Sequence, residues 1–237
     1  MPVLDFIAWV LLVVWAALLV GGFLFRKSPT AERLVPPWVH AASAFSLLLL
    51  AWYGYLLTRA GTDNARYAFG VAAGLTFAVS GGLLLAGAAS PIRTRIGFST
   101  SALGHLLFIA AFARLGTASG SQPWLLLCLW LAIGALVCRA VLTQARDLES
   151  RLAAAAVAYQ LLLFTTTGLG TGLALTRPLF GTLAAGVVLL LLGELSLLTQ
   201  RLLRRRAPSI GNTARLLRWP GLALIVLSIW SALQSTA

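Results

Sequence analysis

Glu194, His105, His40 and Arg139 stand out because each interrupts or lies within a long, otherwise uncharged run. If those runs cross a membrane, an ionisable group at mid-depth costs roughly 2.5–3.5 kcal/mol on insertion scales, so each needs a reason to be there. Glu194 is the only carboxylate deep in any run. A carboxyl surrounded by apolar groups favours its neutral, proton-bearing form, which suits it to act as an acid. His105 and Tyr159 can also exchange protons, so the three together offer acid–base chemistry. The same three groups could instead bond to one another and fix helix packing. Arg139 lies near a helix end and can reach the interface along its own stem, as can His40 beside Trp38. A b-type haem wants two axial ligands facing one cavity. The two histidines differ in depth by roughly 6 Å at the helical rise per residue, which disfavours a haem-binding electron-transfer anchor. Cys128 and Cys138 are ten residues apart, roughly 15 Å along one helix, too far for a disulfide. With no CxxC or similar spacing, neither a metal nor any other cofactor is expected, and both cysteines read as small buried hydrophobes.

The elements that must position these groups follow from the runs. Of 237 residues, 59% are apolar and 10% charged, far below the roughly 25% charged of soluble domains. Uncharged stretches such as Phe6–Phe25, Leu34–Thr58, Tyr67–Ile92 and Leu152–Thr176 match the roughly 20 residues a helix needs to cross a bilayer. Strict alternation is absent, which excludes barrel strands. The expectation is an all-α polytopic membrane protein, a single transmembrane domain over residues 1–237. Its eight helices fall at about 3–25, 36–58, 67–88, 97–113, 124–142, 152–174, 178–200 and 218–235. No basic residue precedes the first run, so it reads as a retained helix rather than a signal peptide. Gly74-x6-Gly81-Gly82-Leu83-Leu84 in the third helix echoes Gly186-x6-Gly193-Glu194-Leu195-Ser196 in the seventh. Two parallel four-helix halves would produce that echo. So would the plain need for glycines on one face where helices approach closely.

A net charge of +12 invites nucleic acid, but the distribution points to a bilayer. Fourteen of the 18 basic residues fall beside alternate turns: Arg26, Lys27 and Arg33; Arg93 and Arg95; Arg139, Arg146 and Arg151; Arg201, Arg204, Arg205, Arg206, Arg215 and Arg218. Arg59, Arg66, Arg114 and Arg177 occupy the other side. The positive-inside rule then places the odd-numbered loops in the cytoplasm and both termini outside. Arg204, Arg205 and Arg206 suit anionic lipid headgroups, not nucleic acid. With this topology Glu194, His105 and Tyr159 lie roughly 9, 12 and 10 Å from the cytoplasmic helix ends, in one layer.

These residues carry a resemblance. Gly74-Leu75-Thr76-Phe77-Ala78-Val79-Ser80-Gly81-Gly82, then Gly97-Phe98, His105-Leu106-Leu107-Phe108 and Phe112, then Tyr159, then Gly193-Glu194 resemble in spacing the motifs of the lysoplasmalogenase (YhhN-like) family. Such proteins are eight-helix membrane enzymes that hydrolyse the vinyl ether of lysoplasmalogens to a fatty aldehyde and a glycerophospho-headgroup. The resemblance implies a hydrolase with Glu194, His105 and Tyr159 as catalytic groups. It also implies Ser80, Gly81, Gly82 and Phe108 against a lysophospholipid substrate drawn from the membrane. Two departures matter: the third-helix aspartate of the family is Gly82 here, and a family tyrosine is Phe108. The family's seventh-helix aspartate is matched by the longer Glu194. A catalytically degenerate protein that binds lysolipid or serves as a structural partner is the alternative; a small transporter lacks the Pro-interrupted half-helices it would need.

Overall fold

In a computed structural model, the chain is described over residues 2–24, 37–86, 90–116, 122–144, 150–202 and 208–234. Eight α-helices account for nearly all of it: α1 Pro2–Leu24, α2 Pro37–Leu56, α3 Asp63–Ala86, α4 Pro91–Gly116, α5 Gln122–Gln144, α6 Ser150–Thr176, α7 Gly181–Leu202 and α8 Pro208–Gln234. Among the described residues there is no strand. The protein is a polytopic helical membrane protein. Stretches in α2, α3, α4, α7 and α8 are long and apolar enough to cross a bilayer, and α1 and α5 carry shorter apolar stretches. Outward-facing Trp9, Trp38, Phe45, Leu125 and Leu136 are exposed, as lipid-facing side chains are. The hydroxyls of Ser46, Thr76 and Thr100 bond back to carbonyls four residues earlier, which satisfies them without water.

Three helices begin earlier than the charge pattern suggests, each for a local reason. Thr62 caps α3 by accepting the Ala65 N–H at 3.1 Å, with Asp63 in the first turn complementing the helix dipole. The preceding turn reverses at Gly61, whose φ of +82° suits only a residue without Cβ. Ser90 caps α4 by accepting the Arg93 N–H at 3.3 Å, and Pro91 takes the first helical position, where its missing N–H costs nothing. Pro208 opens α8 in the same way. Arg215 and Arg218, assigned by the sequence to the loop after the seventh helix, are therefore helical residues. Arg204, Arg205 and Arg206 lie outside the described residues, as do Arg26, Lys27, Arg33 and Arg146.

Glycines set the tightest packing. A Cβ on Gly104 of α4 would fall 2.7 Å from the Ala78 nitrogen of α3, and one on Gly81 would fall 2.6 Å from the Ser101 nitrogen of α4. Between α7 and α8 the pattern recurs: a Cβ on Gly186 would fall 2.8 Å from the Gly221 carbonyl oxygen, and one on Gly193 would fall 2.9 Å from the Arg218 nitrogen. Backbone-to-backbone approach of this kind is how membrane helices gain contact without a hydrophobic driving force. Neighbour order matches in the two halves. α1 packs on α2, α2 on α3 and α3 on α4; α5 packs on α6, α6 on α7 and α7 on α8; α4 then meets α6 while α8 meets α2 and α3. The glycine echo between α3 and α7 thus marks equivalent places in that order. At the centre, Tyr67, Phe108, Phe112, Phe180, Leu183 and Leu222 are fully buried.

Candidate active site

Gly193 lets the backbone of α8 come against α7, and that approach delivers Arg218 to the neighbouring Glu194. Arg218 Nε lies 2.8 Å from Glu194 Oε1, with the two side chains 14% and 7% exposed. The contact is charge against charge, because the Nε–H has no aligned hydrogen-bond partner. The guanidinium then extends over α3: Nη2 donates to the Ala78 carbonyl at 3.0 Å. A Cβ at Gly82 would come within 2.5 Å of Nη1 and 2.8 Å of Cζ. Three helices thus meet at one buried ion pair, and the absence of a side chain at position 82 is what makes room for its cation. Taking one partner away from such a pair typically costs 3–5 kcal/mol, because the other charge is left buried and uncompensated.

The second part of the site lies on α4 and α6. His105 is 1% exposed. Its Nδ1 is 3.2 Å from the Thr166 hydroxyl, and its ring meets Tyr159 edge-on at 5.5 Å and Phe108 at 5.9 Å. Phe98 also packs on Tyr159, edge to face at 5.6 Å. Glu194 and Arg218 are near enough for their charges to act on the His105 ring. The Gly104–Ala78 contact puts neighbouring His105 about one turn deeper than Gly82. Ser101, one turn before His105 on α4, is buried with no hydrogen-bond partner for its hydroxyl among the described residues. Chemically, the arrangement offers a carboxylate, a guanidinium, an imidazole and a phenol within about one helical turn of depth.

Several sequence expectations need correction here. Glu194 has a counter-ion that the sequence reading did not name, Arg218. Gly82 does not leave open room, since the Arg218 guanidinium fills it. Ser80 is exposed on the outside of α3. Phe108 belongs to the central core, stacked on Phe112 at 6.0 Å, and reaches the site only through its edge on His105. Gly81 is buried against Gly97 and Ser101, a packing position. Cys138 is buried and donates to Gln160 Oε1 at 2.9 Å, whereas Cys128 is exposed rather than buried. His40 stacks on Trp219 at 6.0 Å, while His105 is enclosed by Tyr159, Phe108 and Thr166. The described residues contain no group of three metal-ligating side chains. Arg218 was the residue missed. Its signal was available in the requirement that a buried carboxylate find a cation, with Arg201 to Arg218 the nearest source to the end of the seventh helix.

Neither a curated protein nor a solved structure matches the chain. The motifs quoted from Gly74 to Glu194 nevertheless fall within a family match that runs from the start of α2 to near the end of α8. By that match, over residues 36–229, the chain belongs to the YhhN family.

Proposed function

We propose that this protein is a lipid hydrolase that cleaves the vinyl-ether bond of lysoplasmalogens from the cytoplasmic leaflet, with Glu194 as its proton-handling carboxyl. The observation that carries the reading is a nearly buried Glu194 close enough for its charge to act on His105, whose ring meets Tyr159, in a YhhN family chain. The cytoplasmic orientation rests on the charge asymmetry of the loops. Hydrolysis adds a proton to the distal alkene carbon, leaving an oxocarbenium ion. Water adds to that ion, and the hemiacetal collapses to a fatty aldehyde and the lysolipid's freed glycerol hydroxyl. Glu194 supplies the proton and recovers one from the attacking water, while His105 and Tyr159 hold that water. Glu194 is paired with Arg218, so proton delivery requires the pairing to loosen.

Aldehyde release from an alkenyl lysophosphoethanolamine by purified protein tests the proposal. Glu194→Gln is expected to lower it by about 10²–10⁴-fold, the range for general acid–base groups, while the protein stays folded in detergent. A folded wild type that releases no aldehyde would overturn it. One observation favours a second reading, a lysolipid-binding protein without catalysis. Where the family resemblance places a second carboxylate, this chain has Gly82 with a guanidinium in its space.

A further inference from the structure

We propose that Arg218 is the receptor for the phosphate of a single-chain phospholipid, and that this phosphate takes the place of Glu194 at the guanidinium. The inference rests on the lysolipid reading of the site but not on its hydrolytic chemistry.

Three observations carry it. Arg218 borders the uncharged run Trp219–Ala237, and Glu194, which it contacts, stands seven residues before Arg201 near the end of α7. The pair therefore sits within roughly 10 Å of the basic helix ends, towards the side of the apolar layer where a headgroup phosphate meets the hydrocarbon. The guanidinium is also under-used. Of the five donors that an arginine carries, one makes a hydrogen bond among the described residues, to the Ala78 carbonyl. The Glu194 contact is close but unaligned. A tetrahedral phosphate offers the bidentate geometry that this planar fork matches best, and so can displace a carboxylate that lacks it. Finally, His105 lies about one turn deeper than the guanidinium. With the phosphate on Arg218, the glycerol backbone of a lysolipid spans that step and brings its first-carbon ether to the His105–Tyr159 level.

The exchange also supplies what the proposed chemistry lacks. When the phosphate occupies Arg218, Glu194 is left without a counter-ion in low dielectric and takes up a proton from the aqueous side. That proton is the one later given to the alkene carbon and restored from the attacking water, so the cycle is balanced. The groups facing Glu194 in this step are Arg218 on α8 and His105 on α4, with Tyr159 on α6 behind the imidazole.

The test is binding of a saturated 1-alkyl lysophosphoethanolamine, which has no vinyl ether to hydrolyse, to the full-length protein in nanodiscs. Binding is followed by thermal stabilisation or calorimetry. Wild type should bind saturably. Glu194→Gln, which removes the competitor, should bind at least as tightly. Glu194→Gln/Arg218→Met should bind about tenfold to a hundredfold more weakly than Glu194→Gln, the loss of a charge-assisted contact. The double variant removes both charges and so avoids the buried lone carboxylate that would compromise Arg218→Met alone; Arg218→Lys is the second variant and should fall in between. A 1-alkyl glycerol, with the chain but no phosphate, should not distinguish the variants. Glycerophosphoethanolamine and inorganic phosphate, without the chain, should bind far more weakly than the lysolipid. Equal lysolipid affinity with and without Arg218 would overturn the proposal, and so would inorganic phosphate binding as well as the lysolipid. Arg218-dependent binding without aldehyde release would remove the hydrolase reading and keep this one. Aldehyde release with a KM unchanged in Arg218→Lys would do the reverse.

Discussion

The ion pair between Glu194 and Arg218 makes a quantitative prediction by double-mutant cycle. Breaking a buried pair costs 3–5 kcal/mol in typical cases. Here the lower end applies, because Arg218 sits near the membrane end of its helix and can partly snorkel when Glu194 is replaced. About 3 kcal/mol in a chain of this length corresponds to a fall in Tm of roughly 6–12 °C. Arg218→Met should cost more than Glu194→Gln, since the short glutamate on α7, 7% exposed, has no stem on which to reach water. The double variant should return to within a few degrees of wild type, because replacing both partners of a buried pair is often neutral. Gly186, Gly193 and Gly221 continue to hold α7 against α8 in it. The assay is thermal unfolding of the four proteins in one detergent, read by intrinsic tryptophan fluorescence. The coupling, the shortfall of the double variant's loss from the sum of the two single losses, should be at least about 5 kcal/mol. Additive losses, with the double variant the least stable, would refute the pair as drawn and with it the site built upon it.

Orientation follows from the loop charges: a cytoplasm-dependent reporter inserted after Arg206 should be active and one fused after Ala237 silent, and the reverse pattern would move the Glu194 layer to the other leaflet. At position 82, a Cβ meets the far end of a flexible side chain, so Gly82→Ala should fold with the guanidinium displaced, whereas Gly82→Asp gives Arg218 a second carboxylate to share. Aldehyde release by Gly82→Asp is expected to exceed that of Gly82→Ala and of wild type; a folded Gly82→Asp no more active than Gly82→Ala would count against a two-carboxylate chemistry at this site.

The helices were legible because their cause is local and repeated: runs of about 20 apolar residues have few other fates. The starts of α3, α4 and α8 were not, since charges at Asp63, Arg93 and Arg215 were read as loop markers. Caps at Thr62 and Ser90, and Pro208 opening α8, carry those helices on past the apolar stretch. Glu194, His105 and Tyr159 could be picked out as candidates because each is out of place in its surroundings, a property one residue can show by itself. Arg218 could not be found in that way. It borders a basic segment in sequence, and only the backbone approach at Gly193 turns it inward. Ser80, a position carried by motif spacing alone, lies on the exposed face of α3.

The location of the pair bears on why it is there. If its purpose were to hold helices together, it would be most useful where packing is loose. Instead it joins α7 to α8, where Gly186, Gly193 and Gly221 already bring backbone against backbone. It adds only the short reach across Gly82 to α3. Two ionisable groups in an apolar layer each carry an insertion cost of roughly 2.5–3.5 kcal/mol before they find each other, and apolar side chains of similar volume would avoid it. The arginine moreover spends its best-placed fork on an unaligned contact and a single carbonyl. A purely structural pair would be expected to settle into the bidentate geometry that guanidinium and carboxylate can reach. An arrangement that is costly, redundant for packing and under-bonded at the cation is what a site needs if an incoming anion is to displace the carboxylate.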